Sequence, residues 1–411
     1  MDYFTLVFGS IFACFFLLFL SKRNKRLPPG PLQLPIIGNL FHLLGAKPHI
    51  SLANLAKIYG PIMSLKVGQI TTIVISSSTM AKQVLQKQDQ EFSNRFIPNA
   101  LQAHNHSNFS VTWLPVSPTW RTLRRILNSN ILSLTKLDSN QHLRSQKVQQ
   151  LVDYVAKCSQ EGEAVIIGKA VFKTSLNLLS NILFSKDLVD PFLDSKVELK
   201  DVIWNIVAED IFTGGTDTTT STVEWAMAEI LRQPEIMKKV QAELAEVVGK
   251  GKPIKEDDVS RLPYLQCVVK ETLRMHPPVP FLLPRKVEDD VEVCGYIVPK
   301  GSQVLVNVWA IGRDSALWEE PLVFKPERFW SSELDVRGKD FELIPFGAGR
   351  RICPGLPLAA LRMLPVMVGS LLNSFNWKLE EGIKPEKLEM EEKFGITLAK
   401  ACPLRAIASP I

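Results

Sequence analysis

A chain of 411 residues with 46% hydrophobic content can bury a large core, which sets aside a disordered segment or a small disulfide scaffold. A formal net charge of only +6 gives nucleic acid no strong purchase. Six cysteines, at positions 14, 158, 267, 294, 353 and 402, form no CxxC pair, as suits a reducing, cytosol-facing compartment.

Residues 3–20 are uncharged and almost wholly apolar, and as a helix they would span roughly 27 Å, about one hydrocarbon core. Lys22, Arg23, Lys25 and Arg26 follow, while only Asp2 precedes, so the C-terminal side is expected in the cytosol. A cleaved signal would want basic residues before the run and small residues after it. Residues 1–26 therefore read as a signal-anchor transmembrane helix with its basic stop, placed in the endoplasmic reticulum membrane. Residues 27–40, opening on Leu27-Pro28-Pro29-Gly30-Pro31, read as a stiff proline-rich hinge.

Residues 61–76 alternate around Gly68-Gln69 and predict a hairpin. Residues 101–118 read as loop, where His104 and His106 lack further ligands and are expected to be solvated. A helical pattern opens at Trp120 and puts Trp120 and Arg124 on one face. Taken alone it is an ordinary basic helix with a buried tryptophan. Further helices are predicted over 138–158 and 171–184. Asp194-Ser195 can cap a helix, and no proline interrupts 196–233, so one long helix is expected from about 196 to 231. Its weak point should be Gly214-Gly215, where glycines and threonines are poor helix formers. Helices over 234–248 and 263–275 and short strands over 291–298 and 303–306 follow. By itself, the pair Glu271 and Arg274 is a common i,i+3 ion pair.

One cysteine stands in an unusual context. Phe346-Gly347-Ala348-Gly349-Arg350-Arg351-Ile352-Cys353-Pro354-Gly355 leads into an apolar run over 356–372. The glycines let the backbone approach a bulky group, and a helix start with Arg351 nearby is expected to lower the Cys353 pKa toward thiolate. A thiolate in such a loop suits a haem iron as axial ligand.

Phe346, Gly349, Arg351, Cys353 and Gly355 resemble the haem-binding signature of the cytochrome P450 monooxygenases. The resemblance covers essentially the whole chain and is greatest to plant microsomal terpenoid hydroxylases of the geraniol 8-hydroxylase kind. It implies a mainly α fold, a haem-thiolate helical core with small β-sheets over residues 41–411. Haem is the implied cofactor, with Cys353 as metal ligand. Trp120, Arg124 and Arg285 are implied propionate donors, and Asp217 and Thr218 an acid and hydroxyl that deliver protons on the oxygen side. Gly214, Val279, Phe281, Leu282 and Ile396 would line the substrate pocket. Glu271, Arg274 and Arg328 would form a structural network bracing the cysteine loop.

Between Arg124 and Gly214, members of the family run roughly 80–90 residues longer, far beyond ordinary loop variation. The chain thus reads as carrying an internal deletion near 205–212 that removes the helices roofing the pocket. The leading expectation is a monooxygenase that hydroxylates a small apolar alcohol, such as the monoterpenoid geraniol, with dioxygen. Electrons would come from NADPH through a separate NADPH-cytochrome reductase, since no flavin or Rossmann motif is present. Arg121, Arg125 and Arg350 are candidates for its docking face. The alternatives are a catalytically impaired family member and a haem-thiolate lyase or isomerase that needs no reductase.

Overall fold

In the computed structural model, which describes Gly9 and residues 26–44, 47–99, 107–192 and 206–411, helices dominate and the strands are short. The expected anchor, apart from Gly9 and Arg26, lies outside the described residues, as do His104, His106, Asp194 and Ser195.

The predicted hairpin forms: Ile62–Val67 pairs antiparallel with Ile70–Ile75, and Gly68 turns it at a φ of +60°. Ile70–Ile75 runs parallel to Gln303–Val306, which pairs with Arg285–Lys286, and that strand in turn with Asn94–Arg95. This last register sets Arg95 directly opposite Arg285. Like charges facing each other across a strand pair are destabilising unless something between them compensates.

Ser117 caps the helix Pro118–Ile126 by accepting from the Trp120 N–H, and Pro118 opens its first turn. The helices Gln141–Glu161, Ile167–Phe184, Pro234–Val247 and Pro263–Met275 stand close to their expected places. Residues 196–205 of the expected long helix lie outside the described residues, and the rest forms two helices, Ile206–Gly215 and Asp217–Arg232, separated at Thr216 beside the expected weak point. The ladder persists across the break, because Thr216 N–H reaches Phe212 O and Thr220 N–H reaches Thr216 O, both at 2.9 Å. Thr216, Thr218 and Thr222 all return their hydroxyls to the carbonyl four residues back, a bond that bends helices.

The apolar stretch after the cysteine forms the helix Leu356–Ser374. It is long and apolar enough to cross a membrane, but most of it is buried against Asp217–Arg232, Pro234–Val247 and Gln141–Glu161. It contributes Leu358, Met363, Leu364, Met367, Leu371 and Leu372, among others, to the main core, and Cys353 sits just before its N-terminal end.

Candidate active site

The cysteine loop is held by its own backbone. Cys353 N–H donates to Phe346 O at 3.0 Å, and Ile352 N–H to Gly349 O at 3.0 Å. Gly349 has a φ of +69°, and a Cβ there would lie 2.1 Å from Leu85 O, so only glycine lets the loop rest on that segment. A Cβ on Gly355 would stand 3.7 Å from the Cys353 sulfur. Burial pushes the Cys353 thiol up, outweighing the N–H groups of Gly355 and Leu356 and the charge of Arg124 that pull it down. The lowering expected from the helix start and nearby arginine is thus outweighed by burial.

Cys353, Phe346, Gly355 and Arg351 face a cavity of about 360 Å³, mostly apolar in its lining. Its opposite wall carries Gly214, Gly215, Thr218 and Thr219, with Val279, Leu282, Leu283 and Ile396 to the side. Ile396 lines the cavity yet is 71% exposed, so the cavity opens to solvent there. Phe281 departs from expectation and does not line it. Leu282 takes a φ of +53°, which sends Phe281 the other way, against Phe394 at 5.9 Å and the cluster around Met63 and Leu65.

Four arginines converge on the cavity: Arg95, Arg124, Arg285 and Arg351. Burial and mutual repulsion lower Arg95, and push Arg351 down to about 10; burial brings Arg285 to about 10 as well. Their hydrogen bonds go to carbonyls: Arg95 to Thr112 and Leu283, Arg124 to Ile352, Arg285 to Phe92, Arg351 to Ser93, Val111 and Leu114. Among the described residues none of the four pairs with a carboxylate, and Arg285 Nε is buried with no partner. Such a concentration of buried positive charge fits a group bearing more than one carboxylate.

Trp120 corrects another expectation. Its indole N–H donates to Val111 O at 3.0 Å and it does not line the cavity. Its ring is a platform for the Arg351 guanidinium, 4.3 Å from the ring centre.

On the opposite wall, Thr218 donates its hydroxyl to Gly214 O at 2.6 Å. A Cβ on Gly214 would meet nothing within 4 Å, whereas one on Gly215 would press Leu179 at 2.7 Å. Only the first glycine leaves room. Asp217 is exposed and does not line the cavity; its carboxyl is pushed up by partial desolvation. Thr218 and Thr219 line the cavity and Asp217 does not.

The family model for cytochrome P450 matches residues 28–208 and 185–401. The chain belongs to the cytochrome P450 family. Geraniol 8-hydroxylase of Catharanthus roseus is 56% identical, with all of both chains covered, and that of Swertia mussotii 54%, covering all of this chain and 99% of the relative. A geranylhydroquinone 3''-hydroxylase of Arnebia euchroma is 48% identical over all of this chain and 99% of the relative. The first aligned span, 495 positions, exceeds the 411 residues of this chain by 84, and the family model matches in two stretches instead of one. The chain is an internally shortened P450.

P450 enzymes are monooxygenases with a haem cofactor, and the residues present fit that group. Cys353 would hold the iron through its sulfur, and Arg95, Arg124, Arg285 and Arg351 would offer donors to the propionates. Glu271 is fully buried and accepts from Arg274 Nε at 2.7 Å, Arg328 Nε at 2.9 Å and Lys325 N–H at 2.8 Å. Arg274 and Arg328 spend their remaining donors on carbonyls of residues 312–323, so this P450 network ties two chain segments together away from the cavity. Sequence reasoning missed Arg95 and Thr219. Arg95 sits in a two-residue strand with no periodicity to mark it; only its pairing with Arg285 reveals it.

Proposed function

We propose that this P450 is an endoplasmic reticulum enzyme, anchored by residues 1–26, that hydroxylates a small apolar alcohol of the geraniol type. The observation that carries the reading is the apolar cavity between Cys353 and Thr218, in a chain more than half identical to two geraniol 8-hydroxylases. Haem bound through cysteine supplies the oxygen and electron chemistry. The chain's own side chains do the rest. Leu178, Leu179, Val279, Leu282 and Leu283 offer apolar surface that holds a terpenoid body. The Thr218 hydroxyl donates to Gly214 O and keeps its lone pairs to accept or pass a proton at Oγ1. Electrons come from NADPH through a separate reductase, for which the exposed Arg121 and Arg125 offer a basic face.

A second reading is favoured by one observation: Ile396 is exposed at the cavity mouth, as a chain missing its roof would show. On this reading the same P450 turns over poorly, because water enters and the substrate is held loosely. Against the lyase or isomerase alternative stand Thr218, which lines the cavity, and the hydroxylase relatives. The test is reconstitution of the full chain with a plant reductase, NADPH and geraniol. A singly oxygenated product supports the proposal. Its absence, with haem bound and reduced by the reductase, sets aside the substrate.

A further inference from the structure

The cysteine loop rests on a segment that neither the P450 signature nor the Glu271 network involves. After the short helix Ser78–Lys82, the chain makes a π-helical turn over Gln83–Lys87, closed by Gln88 N–H on Gln83 O at 2.8 Å. This wider turn brings Leu85 and Asp89 under the loop. The Asp89 carboxylate, mostly buried, accepts from the backbone N–H of Arg350 at 3.2 Å and from its Nε at 2.7 Å, both on Oδ2. Gly349 has Leu85 O and Asp89 Oδ1 directly beneath it, where a Cβ would lie 2.1 and 3.0 Å away. Asp89 Oδ1 has no hydrogen-bond partner. Asp89 is also the carboxylate whose charge reaches both Arg285 and Arg351 on the cavity wall.

We propose that Asp89 is a positioning residue for the haem site, pinning the cysteine loop through Arg350 and supplying the local negative charge that faces the arginine cluster. The two roles are separable. The clamp runs through Arg350, three residues before Cys353: losing the Asp89 carboxylate weakens both bonds to the loop, whereas losing the Arg350 side chain removes the Nε bond and keeps the backbone one. The charge acts through space, so it is lost with Asp89 and survives removal of Arg350. The assignment of Cys353 as axial ligand is taken as given, and Cys353→Ser serves as the control that fails independently of Asp89.

The test uses the full chain in yeast membranes, with Asp89→Asn, Asp89→Glu, Arg350→Ala and the double variant Asp89→Asn/Arg350→Ala. Two quantities are read: the fraction of CO-bound, reduced haem with the red-shifted thiolate Soret band, and the haem midpoint potential. Asp89→Asn should raise the fraction lacking the thiolate band several-fold and move the potential positive, since removing a nearby negative charge favours the reduced form. Asp89→Glu should restore the potential. Arg350→Ala, which keeps its backbone N–H on Asp89, should lose part of the thiolate band lost in Asp89→Asn and show none of its positive shift, and the double variant should lose no more band than Asp89→Asn. Parent-like values for both readouts in Asp89→Asn would overturn the proposal. So would a full thiolate band in Arg350→Ala, and that arm decides alone if Asp89→Asn does not accumulate.

Discussion

Trp120 and Arg351 share one acceptor: the indole N–H reaches the Val111 carbonyl at 3.0 Å and an Arg351 N–H reaches it at 3.4 Å, with the guanidinium stacked 4.3 Å from the indole ring centre. The tryptophan thus orients an arginine of the cavity wall instead of facing the cofactor itself. Trp120→Phe keeps an aromatic platform and should cost about 1 kcal/mol with haem retained. Trp120→Ala removes platform and core contact and should cost about 3–5 kcal/mol. Unfolding curves and haem-to-protein ratios check this; haem loss in Trp120→Phe equal to that in Trp120→Ala would return Trp120 to direct contact with the propionate.

Among the described residues, Cys353 is the one cysteine that lines the cavity. Cys353→Ser should abolish the thiolate Soret band of the reduced, CO-bound protein while leaving the fold intact. A variant that kept the band would remove the assignment.

Thr218 and Asp217 are adjacent in sequence but differ in position, since only Thr218 lines the cavity. Thr218→Ala should therefore divert electrons from product to hydrogen peroxide, and Asp217→Asn should do so less. Product and peroxide are measured per NADPH consumed. Equal uncoupling in the two variants would mean that the carboxyl reaches the oxygen side after all.

The cysteine loop was legible because its ten residues are contiguous and each glycine has a local reason. Gly349, for example, admits Leu85 O where any side chain would collide. The Glu271 network was legible for a similar reason, its two motifs lying on a helix and a short turn. Arg95 was not, because sheet register alone brings it opposite Arg285. Nor was the outward turn of Phe281, which depends on a positive φ at Leu282 that no residue type announces. Helix phase decided Asp217, since Thr218 and Thr219 line the cavity and Asp217 does not, and a stretch of glycines and threonines carries no apolar periodicity to announce that phase.

Glu392 joins the N-terminal and C-terminal parts of the fold, accepting from His49 Nε2 at 2.8 Å and Trp309 Nε1 at 3.0 Å with Arg313 at 3.7 Å. Burial pushes its carboxyl up, but His49, Arg313 and Trp309 outweigh this and hold it at about 2, against an ordinary value of 4.5. A carboxyl depressed on folding contributes stability that is complete above the unfolded value and is lost as pH falls toward 2. That contribution is worth roughly 3 kcal/mol. Glu392→Gln should therefore be markedly less stable than the parent at neutral pH, with the gap closing between about pH 4.5 and 2. A pH-independent gap in unfolding free energy would show that the ionised form has no special role.

The distal wall is where this P450 parts from its relatives. The helix Ile206–Gly215 carries Phe212 into the core, and Asp217–Arg232 continues the wall, so the half of the site that faces Cys353 is built. What the 84 absent positions would add is cover, and Ile396 at 71% exposure marks where it is wanting. An uncovered cavity admits water and holds a small terpenoid alcohol in many orientations, which costs both coupling and rate. Grafting the corresponding internal segment of the Catharanthus roseus geraniol 8-hydroxylase at the expected deletion, near residues 205–212, should raise product per NADPH roughly tenfold or more, on the scale that misplacement of a substrate costs. The haem spectrum should not change, because Cys353 and the four arginines lie outside the graft. If the ungrafted chain already couples geraniol oxidation as well as the grafted one, the missing cover is dispensable and the cavity formed by Thr218, Val279 and Leu282 suffices.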